Sequence, residues 1–384
     1  MSVGAPGPLV ERVRARLAAG PGVVSSAAVA ALVREESGGL LGDRAVLEAV
    51  RMASDELSGA GPLEPLLRTP GVTDVLVNGP DQVWVDRGSG LEPADARFPD
   101  EQAVRRLAVR LAAAAGRRLD DAAPWVDASL PDGTRLHAVL PPVSGGGTCL
   151  SLRVLRRARL SFADLAARGA LPGAAADLLR AAVQRRAAFL VTGGTGSGKT
   201  TVLSALLGLV PPDERLVLCE DAPELWPDHP HVVRLLTRPP NVEAVGAVTL
   251  RDLVRQALRM RPDRLVVGEV RGAEVVDLLA ALNTGHDGGC GTLHVNRPAE
   301  VPARLEALGV AAGLGRVAVH SQAAAALSLV VHLQRAPVGR RVAEVAVVRR
   351  RRELIEVVPG WRSDGGESPG RAELAAVLGC RVPG

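Results

Sequence analysis

One short segment constrains this 384-residue chain more than any other. Gly193-Gly194-Thr195-Gly196-Ser197-Gly198-Lys199-Thr200 satisfies the pattern G-x-x-x-x-G-K-[ST] in full. It follows the apolar run Ala188-Phe189-Leu190-Val191 and precedes a helical run from Thr201 to Leu209, the strand–loop–helix context in which the pattern is meaningful. Glycines let the backbone turn tightly and aim its N–H groups at phosphate oxygens, and the start of a helix near Lys199 favours the anion. Lys199 is then placed to reach the β and γ phosphates of a nucleotide, and Thr200 to put its hydroxyl on Mg²⁺. Composition sharpens this. The chain has 46 basic residues, and Lys199 is the only lysine among them. Lysine is a compact point charge and arginine is not, so the single ammonium stands where a phosphate needs one.

A phosphate loop alone does not hydrolyse anything; hydrolysis also needs carboxylates, which neighbouring strand ends can supply. Arg264 to Glu269 reads as an apolar strand ending in an acid, which places Glu269 at the carboxyl edge of a sheet to activate water. Glu220-Asp221-Ala222-Pro223-Glu224 follows the strand Arg215 to Cys219 in the same way, so Glu220, Asp221 and Glu224 are expected beside it, with Thr200, Glu220 and Glu269 as the oxygen set for Mg²⁺. The plainer readings are a solvated glutamate and a turn capped by Asp221. In Thr284 to His294, residues His286, Cys290 and His294 are spaced like metal ligands. Four glycines and no helical pattern keep them off one helix face, and no fourth ligand is evident. A phosphate contact by His286 and His294 is the expectation there.

The chain length predicts two or three domains, and the alternation of helix and strand from Gly173 onward argues an α/β fold with a mostly parallel sheet. The expected organisation is a helical amino-terminal extension (1–60), a smaller α+β domain (61–155), a linker (156–172), a P-loop domain (173–358) and a flexible tail (359–384). Thr249-Leu250-Arg251-Asp252 has capping-box spacing and predicts a helix start. No apolar run approaches the ~20 residues of a membrane span, and the amino terminus lacks a secretory pattern, so a cytoplasmic protein is expected. The 4 cysteines form no C-x-x-C pair and are expected to be reduced. A net charge of +4 is spread along the chain rather than segregated, so nucleic-acid binding is not expected.

Four motifs in fixed order carry a resemblance: Gly193 to Thr201, Glu220 to Leu225, Gly268-Glu269-Val270-Arg271-Gly272-Ala273-Glu274, and His286 to Asn296. In this order they resemble the Walker A, aspartate box, Walker B and histidine box of the type II/type IV secretion ATPase superfamily. The likeness extends to Leu130-Pro131-Asp132-Gly133-Thr134-Arg135 and Leu150-Ser151-Leu152-Arg153 in the amino-terminal domain. It implies a RecA-like ATPase domain binding ATP and Mg²⁺. Glu269, Lys199, Glu220, Asp221, Glu224, His294 and Arg271 are then the catalytic set. Gly193, Gly194, Thr195, Gly196, Ser197, Gly198, Lys199, Thr200, Thr201, Arg135, Arg153 and His286 contact the nucleotide. It further implies a homohexamer at the inner face of the cytoplasmic membrane, working on an inner-membrane platform protein. Val77-Asn78-Gly79-Pro80 and Thr284 to Gly288 look most like the tight-adherence (Flp) pilus branch. Cys290 and Val295 depart from the histidine-box pattern, and no tetracysteine insert is present. A conjugation motor and a non-hydrolysing nucleotide-binding scaffold remain as alternatives.

Overall fold

The computed structural model of the chain describes residues 16, 26–36, 59–88, 90–154, 160–240, 245–336 and 339–382. They fall into two compact units, Met1–Arg156 and Arg157–Gly384. Of the helical extension expected over 1–60, only residues 16, 26–36, 59 and 60 are among the described residues, and the start of the expected linker, residues 156–159, lies outside them.

The first unit holds α1 (Ser26–Glu36), the short α2 (Glu64–Arg68), β1 (Asp74–Asn78), β2 (Val83–Asp86), β3 (Leu91–Pro93), α3 (Glu101–Ala114), β4 (Trp125–Ser129), β5 (Arg135–Val139) and β6 (Cys149–Arg153). The six strands form one antiparallel sheet in the order β3-β2-β1-β6-β5-β4. Alternation drives it. Leu150 and Leu152 are buried while Ser151 and Arg153 are exposed, so one face of the strand joins the core and the other meets solvent. Helix α3 starts where the Asp100 side chain accepts a hydrogen bond from the Ala103 N–H at 2.7 Å. Its residues Val104, Leu107, Ala108 and Leu111, spaced along one helical stripe, enter the same core.

The second unit runs α4 (Phe162–Ala167), α5 (Gly173–Gln184), β7 (Phe189–Thr192), α6 (Lys199–Leu207), β8 (Leu216–Glu220), β9 (Val232–Leu236), α7 (Leu250–Ala257), β10 (Arg264–Val270), α8 (Glu274–Leu282), β11 (Cys290–Leu293), α9 (Val301–Ala311), α10 (Arg316–Ala326), β12 (Leu329–Ala336), β13 (Gly339–Arg351), β14 (Leu354–Arg362) and α11 (Arg371–Leu378). Its eight-stranded sheet has the order β14-β13-β12-β7-β11-β10-β8-β9. From β12 to β9 every neighbour is parallel, whereas β13 and β14 add an antiparallel margin. Strands buried on both faces, such as Phe189–Thr192 and Leu216–Glu220, require helices on both sides. Helices α4, α5, α6 and α11 cover one face and α7 to α10 the other. The capping box is formed: Thr249 Oγ1 accepts from the Asp252 N–H at 3.2 Å, and Asp252 Oδ2 from the Thr249 N–H at 2.9 Å.

Two expected boundaries change. Residues 162–167, expected as linker, form α4, capped by Ser161 and Asp164, and Phe162 and Leu165 enter the core of the second unit. Past residue 359, expected as a flexible tail, β14 continues to Arg362 and α11 buries Leu374 and Leu378 in the same core. In both places a few apolar side chains outweigh a composition rich in glycine, proline and arginine.

Candidate nucleotide site

Strand β7 lies in the middle of the sheet, flanked by β12 and β11, and its carboxyl end feeds the phosphate loop. Gly193, Gly196 and Gly198 have φ of +147°, +68° and +95°, backbone that side chains rarely tolerate. At Gly193 there is also no room: a Cβ would stand 2.5 Å from Ser197 Oγ and 2.7 Å from the Leu333 carbonyl oxygen. Helix α6 begins directly at Lys199, and no side chain among the described residues caps its amino end. Ser197 is 3% exposed and its hydroxyl has no hydrogen-bond partner among the described residues. Glycines that open the loop, uncapped helical N–H groups and an unpartnered buried hydroxyl together form a cradle suited to phosphate.

Lys199 Nζ donates to the carbonyls of Gly193 and Gly194, at 2.9 and 3.0 Å. Partial burial lowers its pKa, while the charges of Glu269 and Glu224 act in the opposite direction, so both carboxylates lie within electrostatic reach of the ammonium. Thr200 Oγ1 donates to Glu224 Oε2 at 3.4 Å. Glu269 sits near the end of β10 beside a bulge between Val267 and Val270, and the Gly268 carbonyl accepts from Thr292 Oγ1 at 2.6 Å. His294 follows Leu293, which pairs with Thr192 on one side and Val270 on the other, so it stands at the same carboxyl edge as the loop. A Cβ on Gly194 would lie 3.9 Å from Asn296 Oδ1, which ties the segment after His294 to the loop. Asp221 and Arg271, from two different motifs, form an ion pair at 2.7 Å, and Asp221 also accepts from Thr237 Oγ1 at 3.1 Å.

Two expected site residues have other work. Glu220, expected as a metal and catalytic carboxylate, is 1% exposed and both its oxygens are engaged. Oε1 accepts the N–H groups of Glu224 and Leu225 at 3.0 and 2.8 Å, and Oε2 accepts from Arg234 Nε at 3.1 Å. Burial pushes its pKa up to about 7 against the pull of Arg234 and the two amides. Glu220 therefore holds the turn that carries Glu224. His286, expected as a phosphate contact, lies between α8 and β11, at the amino edge of the sheet, with Nδ1 3.2 Å from the Ala281 carbonyl oxygen. The neighbouring glycines serve packing there: a Cβ on Gly288 would stand 1.9 Å from Nη1 of the buried Arg264, whose Nε donates to Glu214 at 2.6 Å.

The structure also adds residues that the sequence reading gives no part in the site. Arg234 stacks on Trp226, with Cζ 4.1 Å from the ring centre, and donates to the Leu225 carbonyl. Glu274 Oε1 accepts the N–H groups of Arg271 and Gly272 at 2.6 and 2.7 Å and so shapes the turn after β10. His332, buried on β12, has Nδ1 3.0 Å from Thr192 Oγ1 and hydrogen-bonds the Asn296 backbone, joining the loop strand to the His294 segment. Burial lowers its pKa and favours the neutral ring. The only advance signal is a lone histidine inside the apolar run Leu329 to Leu333.

The fold and the loop define a RecA-like P-loop protein. The family described as type II/IV secretion system protein matches residues 56–378. A putative conjugal transfer protein of Mycobacterium tuberculosis is 60% identical over 350 residues, covering 89% of this chain and 99% of its own length. The probable conjugal transfer protein TrbB of Sinorhizobium fredii is 32% identical over 286 residues, covering 73% and 84%. The pilus retraction motor PilT with bound ADP shares the fold at a TM-score of 0.53 and 20% identity, covering 74% of this chain and 81% of that one. The chain belongs to the type II/IV secretion ATPase family.

Proposed function

We propose that this chain hydrolyses ATP to ADP and phosphate as the motor of a pilus-assembly or secretion machine. The observation that carries the reading is the complete phosphate loop with Lys199 in electrostatic reach of Glu269 and Glu224. The loop N–H groups and Lys199 hold the β and γ phosphates. Glu269 accepts a proton from the attacking water, whose oxygen bonds to the γ phosphorus as the bond to the bridging oxygen breaks. Hydroxyl and carboxylate oxygens of Thr200, Glu224 and Glu269 make a hard donor set that fits Mg²⁺, and Glu220 does not belong to it. That ion supplies charge neutralisation between phosphates when bound.

His294, Arg271, Asp221, Arg135 and Arg153 complete the proposed set. Arg135 and Arg153 are directly opposed across β5 and β6, and among the described residues only Arg153 has a carboxylate partner, Asp74 at 2.9 Å. Asp74 engages Arg153, which leaves Arg135 without a carboxylate partner among the described residues beside a second arginine, and this supports a phosphate role. A cytoplasmic homohexamer acting on an inner-membrane platform is part of the proposal; among the described residues no helix is long and apolar enough to cross a membrane. For the cargo, Flp-type pilin is the first reading, and conjugal transfer is the second because the relatives cited carry that name.

Lys199→Ala should remove nucleotide binding and turnover. Glu269→Gln should bind ATP yet turn it over at least about a hundredfold more slowly, since it keeps its shape but cannot accept the proton. Parent-rate turnover in Lys199→Ala would refute the site. Loss of the pilus on gene deletion with normal DNA transfer favours the first cargo, and the reverse favours the second.

A further inference from the structure

Beyond the loop itself, the hairpin of β12 and β13 carries two arginines that the motifs leave unused. Arg335 and Arg340 are directly opposed cross-strand partners near its tip. Both are exposed, and neither has an ion-pair partner among the described residues. The next pairs, Gln334 with Arg341 and Ala336 with Gly339, bring no acid to the tip. Two arginines therefore stand opposite each other with no carboxylate among the described residues paired to either, an arrangement that antiparallel sheets disfavour.

Their position gives the arrangement a purpose. A Cβ on Gly196 would lie 3.4 Å from Arg335 Nη2, and one on Gly198 would lie 3.5 Å from Arg340 Cδ. Each arginine thus rests against one of the positive-φ glycines that shape the phosphate cradle. Leu333, two residues before Arg335, anchors the hairpin there: its carbonyl oxygen would be 2.7 Å from a Cβ on Gly193 and its Cδ2 3.8 Å from one on Gly198. A nucleotide in this loop carries several negative charges, while Lys199 is the one ammonium of the chain and Arg271 is already tied to Asp221. Guanidinium groups bind phosphate oxygens through paired N–H donors.

We propose that Arg335 and Arg340 form a phosphate clamp supplied by the same unit as the loop, contacting the loop-bound phosphates of ATP and ADP alike. The proposal rests on the nucleotide-binding reading above. Because ADP keeps the phosphates that the loop surrounds, the clamp acts on substrate and product together. It lowers Kd and KM without raising kcat.

The test is calorimetric titration of the full chain with ADP and with inorganic tripolyphosphate, at low and moderate salt. Parent protein is compared with Arg335→Gln/Arg340→Gln, Arg335→Lys/Arg340→Lys and Lys199→Ala. The double glutamine variant should bind both ligands about tenfold or more weakly, with a shallower salt dependence and a melting temperature no lower than the parent's, and the lysine variant should recover part of the loss. Parent-like affinity and salt dependence in the glutamine variant, with Lys199→Ala unable to bind, would overturn the clamp and leave the loop reading standing. Loss for ADP with tripolyphosphate unaffected would also overturn it, because the contact would then be to the nucleoside. Failure of the parent to bind either ligand would overturn the nucleotide-binding reading itself.

Discussion

Replacing Glu220 by glutamine separates a carboxylate that holds the site together from one that does chemistry. Burial raises this acid from its ordinary 4.5 to about 7 in the folded protein. A group bound more tightly to its proton in the folded state stabilises the fold fully below its unfolded pKa, and that contribution disappears as pH rises through the folded pKa. Each tenfold gain in proton affinity corresponds to about 1.4 kcal/mol, so the parent should lose about 3 kcal/mol through Glu220 between roughly pH 4.5 and 7.5. Glutamine does not titrate, and its oxygen can still accept the Glu224 and Leu225 N–H groups that Oε1 now accepts. The stability of Glu220→Gln relative to parent should therefore improve by about 3 kcal/mol across that range, whatever the offset at its acidic end. Urea unfolding at several pH values measures this, followed by the fluorescence of Trp226, which lies under Arg234 beside Glu220, in a parent in which Trp84, Trp125 and Trp361 are replaced by Phe. Parallel pH dependence in the two proteins would show that Glu220 stays ionised throughout and that the burial argument is wrong. Turnover is a second readout: Glu220→Gln should keep far more activity than Glu269→Gln, and equal losses would return Glu220 to the chemical centre.

His286→Ala should leave ATP turnover within about twofold of parent, since the ring sits at the edge of the sheet away from the loop; a steady-state rate decides it. Arg135→Ala and Arg153→Ala should lower turnover by about tenfold or more at near-parent ADP affinity, measured by steady-state kinetics and calorimetry, because the group they are proposed to hold is the one that ADP lacks.

Much of the second unit is legible in the sequence because its elements obey local rules. Strand β7, the loop and α6 follow from one motif, and α7 from one capping box. What escapes has a common physical cause: the decisive contacts are distant in sequence. Leu374 and Leu378 occur in a segment whose composition reads as loop, and they are ordered by a core built mainly from residues before 361. Glu220 looks catalytic in the sequence because acids at strand ends often are. Only the three-dimensional placement of Arg234 and the amides of Glu224 and Leu225 shows its oxygens already engaged. Gly268 belongs to the same arrangement, since a Cβ there would stand 2.9 Å from Glu220 Cγ. A glycine inside β10 is thus a packing requirement of the acid on the neighbouring strand.

The two histidines show which part of such a misreading is avoidable. His286 and His294 flank β11, and at about 3.3 Å per residue a four-residue strand separates its two ends by roughly 13 Å. In a parallel sheet, whatever follows a helix and precedes a strand lies at the amino edge, and whatever follows a strand lies at the carboxyl edge where ligands bind. Element order alone therefore sends His294 to the nucleotide edge and His286 to the opposite one, once Glu274 to Leu282 is recognised as a helix. The same parity rule brings β12 to the carboxyl edge at Ala336, next to the loop, and turns the chain back at Gly339. This is why Arg335 and Arg340 reach the phosphate cradle although they lie far beyond the last motif. The residues that shape the site are thus selected by the edge of the sheet at which they emerge, and their distance from a motif along the chain is a poor guide to their part in it.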